Sequence, residues 1–312
     1  MARLIGPQSG DSHALEPQFS RKRLLVSLYL GIDAGGTRTS ARLVSGDGEV
    51  IGVGEAGPAN TRIGLENALG EVELAASSAI HAAGLGHEEA GSVRAGLGIA
   101  GLNRRGVLEA LQAHSFPFAS IAFASDAAIA CLGANAGEDG GIVIVGTGSI
   151  GFARVKGETI IVGGYGFPIS DEGSGADLGL SAIRQSLWAR DRRIEHSPMT
   201  RAILERFSDS AGEIVSWMDS ATATDYAMFA PLVMEHASKG DAVAEPIVQD
   251  AARSVDRLIR VLFERGAPHC SLMGGVSGVL YDWLAPGLRK RLRAPLGDSL
   301  DGALLLARSR EP

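Results

Sequence analysis

The sequence predicts an α/β fold built from two domains, and three observations support this prediction. First, 312 residues exceed the usual length of a single domain, so two domains of about 150 residues are expected. Second, three short strand-like runs near residue 28 precede alternating strand and helix patterns, as in a layered α/β domain. Third, a glycine-rich hairpin pattern returns about 110 residues after its first occurrence. The repeat indicates two similar halves with a ligand site between them.

The first hairpin carries the strongest chemical signal in the chain. An apolar run ends at Asp33, glycines and hydroxyl residues follow, and an alternating run over 41–44 leads away. Glycine has no Cβ atom, so its backbone N–H group is open to a bulky anion. We interpret Asp33 as the holder of a hydrated cation. The turn then predicts a nucleotide-phosphate site formed by Gly35, Gly36, Thr37, Arg38 and Thr39. A plain β-hairpin with an Ala-Gly-Gly turn is the alternative.

The other elements of the first half follow from hydrophobic periodicity and from turn residues. They are a strand over 50–55, a helix over about 64–83, a strand over 93–99, a short helix to about 114 and a strand over 121–124. Ser125 and Asp126 open the next helix. Taken alone, Asp126 would be interpreted as a helix N-cap, although a carboxylate at a helix start can also face a cleft.

The second half begins with the same meander. A strand over 141–145 ends in Gly146-Thr147-Gly148-Ser149, and strands over 150–155 and 159–162 follow. The next loop, over 163–175, is unusually long and glycine-rich, and it contains Asp171. The remaining predicted elements are helices over 178–189, 200–207, 225–238 and 245–265, a strand over 269–273 that ends in Gly274-Gly275-Val276-Ser277, and a closing helix over 302–308. We expect the closing helix to pack on the first domain.

Composition excludes several classes of protein. The chain has 42 glycines and only 5% aromatic residues, which suits a tightly turned α/β protein. Its net charge of −7 argues against a nucleic-acid partner. Cys131 and Cys270 have no disulfide or zinc-ligand spacing, so a reducing cytoplasm is the expected location. The apolar runs fall short of the roughly 18 residues of a membrane span, so no membrane partner is expected. Residues 1–27 have no periodicity, and we expect a disordered extension there.

Five motifs, in order, resemble a known family. They are Asp33 with Gly35-Gly36-Thr37-Arg38-Thr39, Ser125-Asp126-Ala127, Gly146-Thr147-Gly148-Ser149, Asp171-Glu172-Gly173-Ser174 and Gly274-Gly275-Val276-Ser277. The chain resembles, over about 28–310, the N-acetylglucosamine and glucosamine kinases of the BadF/BadG/BcrA/BcrD ATPase family, a branch of the actin-like sugar kinases. The resemblance implies two ribonuclease H-like domains with an active-site cleft between them. The N-terminal domain would cover 28–130, closed by a helix at about 300–310, and the C-terminal domain 131–298, with a helical insertion.

The resemblance implies ATP-dependent phosphorylation of an amino sugar at its 6-hydroxyl. Phosphoryl transfer needs charge neutralisation on the phosphates and a group that receives the hydroxyl proton. Asp126 matches that general base, and Asp33 would hold Mg²⁺. The ATP contacts would come from the first hairpin and from Thr147, Gly148, Ser149, Gly274, Gly275 and Ser277. The sugar contacts would come from Asn60, Asp126, Gly164, Tyr165 and Asp171. The resemblance also leads us to expect a homodimer.

One departure and two alternatives stay open. Eukaryotic N-acetylglucosamine kinases carry a polar residue directly after Gly-Thr-Gly-Ser, whereas this chain has Ile150, so both glucosamine and N-acetylglucosamine remain candidates. The first alternative is an ATPase activator of a dehydratase or reductase, which bridges an iron–sulfur cluster across a dimer with two cysteines per chain. Cys131 and Cys270 are too dispersed in the sequence to favour it. The second is a non-catalytic sugar or nucleotide sensor, against which the acid at position 126 argues.

Overall fold

A computed structural model describes residues 27–61 and 64–309, which form two β-sheets with helices around them. The strands are β1 (Leu28–Ala34), β2 (Thr39–Ser45), β3 (Val50–Ala56), β4 (Val93–Ile99), β5 (Ser120–Ser125), β6 (Gly140–Val145), β7 (Ser149–Val155), β8 (Glu158–Gly163) and β9 (Cys270–Met273). The helices are α1 (Leu65–Ala82), α2 (His87–Ala90), α3 (Val107–Ala113), α4 (Asp126–Ala134), α5 (Gly175–Arg190), α6 (Pro198–Arg206), α7 (Ala211–Met218), α8 (Ala223–Ala227), α9 (Ala230–Ser238), α10 (Ala244–Glu264), α11 (Ser277–Leu280), α12 (Pro286–Arg289) and α13 (Ser299–Arg308). The expected α/β class is confirmed.

The two sheets share one plan. The first has the order β3-β2-β1-β4-β5, with an antiparallel meander of β1 to β3 and parallel β4 and β5. The second has the order β8-β7-β6-β9, with a meander of β6 to β8 and β9 parallel to β6. In both sheets a parallel strand lies beside the first strand of the meander. The repeat inferred from the two glycine-rich hairpins is therefore a repeat of architecture.

Helices α4 and α13 pack closely against each other beside the first sheet. Helix α13 contacts β1 and β4, which confirms that the closing helix packs on the first domain, and α4 contacts both sheets. Their backbones meet at glycines: a Cβ atom on Gly302 would overlap the carbonyl oxygen of Ile129, and one on Gly133 would overlap that of Asp298. The expected domain boundary at residue 130 falls inside α4. The two sheets are thus joined by a helix pair that tolerates no side chain at its crossing point.

Helix α13 begins three residues earlier than expected. Asp298 is its N-cap and accepts a hydrogen bond from the backbone N–H of Asp301, while the Asp301 side chain accepts one from the backbone N–H of Asp298. This reciprocal capping satisfies two of the four N–H groups that a helix start leaves unpaired. The expectation for residues 1–27 lies outside the described residues, apart from residue 27 itself.

The helical insertion departs from the sequence prediction at two places. The single helix expected over 225–238 is wrong, because α8 ends at Ala227 and α9 begins at Ala230. Pro231 explains the break, since proline lacks an N–H group and is favoured in the first turn of a helix. Helix α7 was not expected at all.

Within residues 27–61 and 64–309, no helix is both long and apolar enough to cross a membrane.

Candidate active site

The first cluster of site residues lies at the carboxyl end of β1. Asp33 is the last but one residue of this buried strand, and the turn that follows is closed by a hydrogen bond from the Gly35 N–H to the Arg38 carbonyl oxygen, 3.1 Å. Gly36, Thr37 and Arg38 are exposed at the tip of the turn. The buried strand thus presents a carboxylate and an open, glycine-containing turn at one place.

The loop after β3 brings Asn60 to the same turn. The Ala59 N–H donates to the Gly35 carbonyl oxygen, 3.0 Å, and so ties the loop to the turn. A Cβ atom on Gly36 would lie 3.7 Å from the side-chain nitrogen of Asn60. Asn60 is half-buried, and its amide is placed beside the exposed face of the turn.

Asp126 is the first residue of α4 and does not cap the helix. Ser125 is the N-cap and accepts a hydrogen bond from the backbone N–H of Ala128, 3.1 Å. The Asp126 carboxylate accepts a hydrogen bond from the adjacent backbone N–H of Ala127, 2.9 Å. Burial raises the pKa of the Asp126 carboxyl above its usual range, and the bond from Ala127 opposes that rise. The structure therefore separates the capping role, held by Ser125, from the carboxylate of Asp126.

The charge of Asp126 acts on the Asp33 carboxyl. Burial raises the pKa of Asp33 to about 6, and the negative charge of Asp126 adds to the rise. A hydrogen bond from Ser299 opposes it, Asp298 raises the pKa further, and Arg38 lowers it. Sequence reasoning missed Ser299, which is brought to Asp33 by tertiary packing alone.

The pair of carboxylates fits Mg²⁺. Mg²⁺ binds oxygen, keeps several waters, and is commonly held by one or two carboxylates together with substrate phosphates. A buried acid with a raised pKa beside a second acid gains most from a divalent cation, because the cation removes their mutual repulsion. In the described part of the chain, no group of three or more His, Cys, Asp and Glu side chains could hold a metal ion by protein ligands alone. The donor set therefore suits a metal shared with phosphate.

The second cluster surrounds the carboxyl end of β6. The turn between β6 and β7 is closed by a hydrogen bond from the Gly146 N–H to the Gly148 carbonyl oxygen, 2.8 Å. The first N–H groups of α5 donate to the same turn, from Gly175 to Gly146 at 2.8 Å and from Ala176 to Thr147 at 3.2 Å. Thr147 is exposed at the tip. The start of α5 thus holds this turn in place through two backbone hydrogen bonds.

Asp171 lies directly against the second turn. Its φ angle is 69°, in the left-handed region that non-glycine residues seldom adopt, which places it among the strained positions common at functional sites. A Cβ atom on Gly148 would lie 2.7 Å from Oδ2 of Asp171. A glycine at 148 is therefore required for the carboxylate to sit at the tip of the turn. The predicted phosphate turn and the predicted sugar-binding acid meet at this contact.

The third glycine motif lies beside the second turn. Gly274 has a φ of 96°, and a Cβ atom there would overlap the backbone of Val145 at the end of β6. The Val276 N–H donates to the Val145 carbonyl oxygen, 3.0 Å, while a Cβ on Gly275 would point into open space. This geometry leaves the backbone exposed at Gly274 and Gly275.

Three hydroxyl groups that the sequence assigned to ATP binding are engaged within the protein. Thr39 is buried and donates to the Gly57 carbonyl oxygen at 2.8 Å, Ser149 donates to that of Glu172 at 2.8 Å, and Ser277 to that of Gly274 at 2.6 Å. Each bond fixes a loop next to an exposed turn. In this structure these side chains hold the turns in shape, and the exposed backbone N–H groups of the turns are donors that face an anion together with the exposed side chains of Thr37, Arg38 and Thr147.

Gly164 and Tyr165 belong to the long loop before α5. Tyr165 is 78% exposed, and a Cβ on Gly164 would lie 2.7 Å from Cδ1 of Ile150. Ile150 also packs against the apolar cluster that includes Ala127 and Ala130 of α4. The loop, the second turn and the helix that carries Asp126 are therefore in contact through one isoleucine.

The two cysteines are placed in the interior. Cys131 and Cys270 are both buried free thiols. Burial raises the pKa of Cys270 to about 12 and also raises the pKa of Cys131. Iron–sulfur clusters are held by thiolates, which these environments disfavour.

We expect Asp33→Asn to stabilise the protein in the absence of Mg²⁺ and nucleotide at pH 8. Since the pKa of Asp33 rises from 3.8 to about 6 on folding, ionising it costs up to about 3 kcal/mol more in the folded state. This penalty is absent below about pH 4 and complete above about pH 6. Urea unfolding at pH 4 and pH 8 measures it. If Asp33→Asn raises the free energy of unfolding by the same amount at both pH values, the raised pKa of Asp33 is contradicted.

Comparison with known proteins identifies the family of this chain and two similar proteins. The model of the BadF/BadG/BcrA/BcrD ATPase family matches residues 30–306. The glucosamine kinase GspK of Vibrio cholerae is 37% identical over 282 residues, which cover 90% of this chain and 96% of the relative. A solved structure from Chromobacterium violaceum, provisionally named an N-acetylglucosamine kinase, is 36% identical with a TM-score of 0.85 and covers 90% of this chain and 99% of its own.

A more distant structure shares the fold alone. The ROK family glucokinase of Streptomyces griseus, solved with glucose and AMPPNP, is 18% identical with a TM-score of 0.53. The match covers 90% of this chain and 99% of that one. The two-sheet plan of this chain is therefore a fold that it shares with that glucokinase.

Proposed function

The chain belongs to the BadF/BadG/BcrA/BcrD ATPase family, and from this premise we propose that it transfers the γ-phosphate of ATP to the 6-hydroxyl of glucosamine or N-acetylglucosamine. Its activity as an ATP-dependent kinase of an amino sugar follows from the family and from its similarity to a glucosamine kinase and an N-acetylglucosamine kinase. The hydroxyl that is phosphorylated and the roles of individual residues are our inference.

The position of Asp126 carries the proposal. Its carboxylate lies at the start of α4, is largely buried, and is not consumed by helix capping. We assign it the role of general base that receives the proton of the sugar hydroxyl. A raised pKa suits this role, because a base with a pKa closer to the working pH accepts a proton more readily in the transition state.

The two turns serve the phosphates in this proposal. The exposed N–H groups around Gly36 and Thr147 would hold phosphate oxygens from opposite sides, and the open backbone at Gly275 would receive the adenosine. Asp33 would hold Mg²⁺ through its water shell, and Mg²⁺ would supply positive charge to the β- and γ-phosphates. The arrangement would give phosphoryl transfer the neutralisation that it requires.

The sugar would lie between Asn60 of the first cluster and Asp171 of the second. The contact of Asp171 with Gly148 supports this placement, because the sugar hydroxyl must meet the γ-phosphate beside the second turn. Gly164 and the exposed Tyr165 would form the outer wall. A site of this kind closes around its substrate to exclude water, which would otherwise compete for the γ-phosphate.

We expect Asp171→Ala to raise the KM for the sugar by about 10-fold or more while the KM for ATP changes little. A carboxylate that accepts hydrogen bonds from sugar hydroxyls contributes about 1.5–3 kcal/mol per charged bond, and its loss weakens only that ligand. Initial rates at varied sugar and saturating ATP give the KM for the sugar. Initial rates at varied ATP and saturating sugar give the KM for ATP. A rise in the KM for ATP alone would overturn the assignment of Asp171 to the sugar.

A substrate panel tests the proposed function. ADP release would be measured with glucosamine, N-acetylglucosamine, glucose and N-acetylmannosamine side by side. We expect one of the two glucosamine sugars to have the highest kcat/KM. ADP release that does not depend on any sugar would contradict the kinase assignment and favour a simple ATPase. The homodimer stays a prediction, for which light scattering is the direct test.

A further inference from the structure

The first turn of α13 rests on β1 immediately beside Asp33. Side chains alternate along a strand, so Gly31 and Asp33 face the same side of β1. A Cβ atom on Gly31 would lie 2.7 Å from the carbonyl oxygen of Leu300 and 3.0 Å from the Leu304 side chain. The absence of a side chain at Gly31 therefore lets the start of α13 approach the face of the strand on which Asp33 stands.

This approach places Ser299 at the Asp33 carboxylate. Ser299 is the first residue of α13 and directly precedes Leu300, whose backbone lies against Gly31, and its side chain is the hydrogen-bonding group that lowers the pKa of Asp33. The other acids that act on Asp33 are Asp126 and Asp298, both of which repel its charge. Arg38 attracts that charge from the exposed turn, without a hydrogen bond to it. Ser299 is therefore the hydroxyl donor at a carboxylate that has acids for neighbours.

The backbone that carries Ser299 is fixed by Arg42 of β2. The Arg42 guanidinium lies 2.6 Å from Oδ2 of Asp298 and 2.7 Å from Oδ1 of Asp301. The same two acids form the reciprocal cap of α13. A paired arginine of this kind adds geometric specificity, and it fixes the first turn of α13 to the strand that neighbours β1. The backbone at Ser299 is thus restrained by its contact with β1 at Gly31 and by the ion pairs of Arg42 of β2.

We propose that Ser299 is a positioning residue that orients the Asp33 carboxylate for Mg²⁺, with the Arg42–Asp298–Asp301 group holding it in place. The inference rests on the proposed function, in which Asp33 holds the metal. A hydroxyl that donates to one carboxylate oxygen fixes the rotation of the group and leaves the second oxygen for a metal-bound water. Partners of this kind behind a metal-binding acid typically contribute 10–100-fold in metal affinity.

The test compares Ser299→Ala with Ser299→Thr, which keeps the hydroxyl. The readout is the Mg²⁺ concentration that gives half-maximal binding of a fluorescent ADP analogue to the full chain. Ser299→Ala is expected to raise this concentration by about 10-fold, and Ser299→Thr to remain within about 2-fold of the parent. Binding of the analogue without Mg²⁺ should not change. Ser309→Ala is the matched control, because Ser309 follows the same helix and its hydroxyl donates to the Leu306 carbonyl oxygen in an exposed bond.

Asp33→Asn distinguishes the failure of this inference from the failure of the proposed function. If Ser299→Ala leaves the Mg²⁺ requirement unchanged while Asp33→Asn raises it, the positioning role of Ser299 is overturned and the metal role of Asp33 stands. If Asp33→Asn also has no effect, the metal role falls, and the inference about Ser299 falls with it. A defect in Ser299→Ala that Ser299→Thr fails to rescue would indicate a role in helix packing and would likewise overturn the proposal. Thermal unfolding of each variant confirms that the compared proteins are folded.

Discussion

Asp126→Asn is expected to lower kcat by roughly 10²–10⁴-fold, the usual contribution of a general base. Asparagine has nearly the same shape, and its side-chain oxygen can still accept the hydrogen bond from the Ala127 N–H. Helix capping is unaffected because Ser125 provides it. The variant therefore removes the proposed proton acceptor while it preserves the start of α4. Steady-state kinetics at saturating ATP and sugar measure the loss.

Two further measurements make the result specific. Affinity for the nucleotide should remain within about 3-fold of the parent, since Asp126 is a proton acceptor and not a phosphate ligand in the proposal. In the parent, kcat should fall on the acidic side at a pH above the usual carboxyl range, because burial raises the pKa of Asp126. Unchanged turnover in Asp126→Asn would remove this residue from the role of base.

Gly302→Ala is expected to lower the free energy of unfolding by about 3 kcal/mol or to prevent folding. The added Cβ atom would overlap the carbonyl oxygen of Ile129, so α4 and α13 would have to separate. Those two helices carry Asp126 and Ser299, and activity should fall together with stability. Urea unfolding measures the change.

Gly70→Ala is the matched control for this substitution. Gly70 also lies within a helix, α1, but it is exposed, and a Cβ atom there would meet no atom within 4 Å. Alanine is the better helix former, so this variant should be more stable by about 0.5–1 kcal/mol. The two variants are the same chemical change with opposite expected signs. If Gly302→Ala raises the free energy of unfolding as Gly70→Ala does, the close crossing of α4 and α13 does not require a glycine at position 302.

Local sequence patterns predict much of the fold. The alternation that ends at Asp33 and the recurrence at Gly146 reflect buried strands followed by tight turns, and both were predicted because they depend on neighbouring residues. The break at Pro231 is also a local signal, since proline inside a helical pattern favours a new start. The early start of α13 could have been found from the spacing of Asp298 and Asp301, which suits a reciprocal cap.

Other features depend on residues that are distant in the sequence. Ser299 reaches Asp33 only because Gly31 admits α13 to the face of β1, and no local pattern announces such a contact. The hydroxyl of Thr39 was assigned to phosphate from its place after two glycines, yet the carbonyl of Gly57 takes it in the fold. Sequence patterns identify which residue types gather near a turn, whereas tertiary packing decides which of their groups remain open to a ligand.

The most direct test of the central claim is the identity of the product. Phosphorus and proton NMR of a completed reaction of ATP with glucosamine, and separately with N-acetylglucosamine, would locate the new phosphate. We predict a sugar phosphate whose phosphorus couples to the two protons on C6, formed in equal amount to ADP. Coupling to the anomeric proton, or ADP without a sugar phosphate from either sugar, would contradict the account.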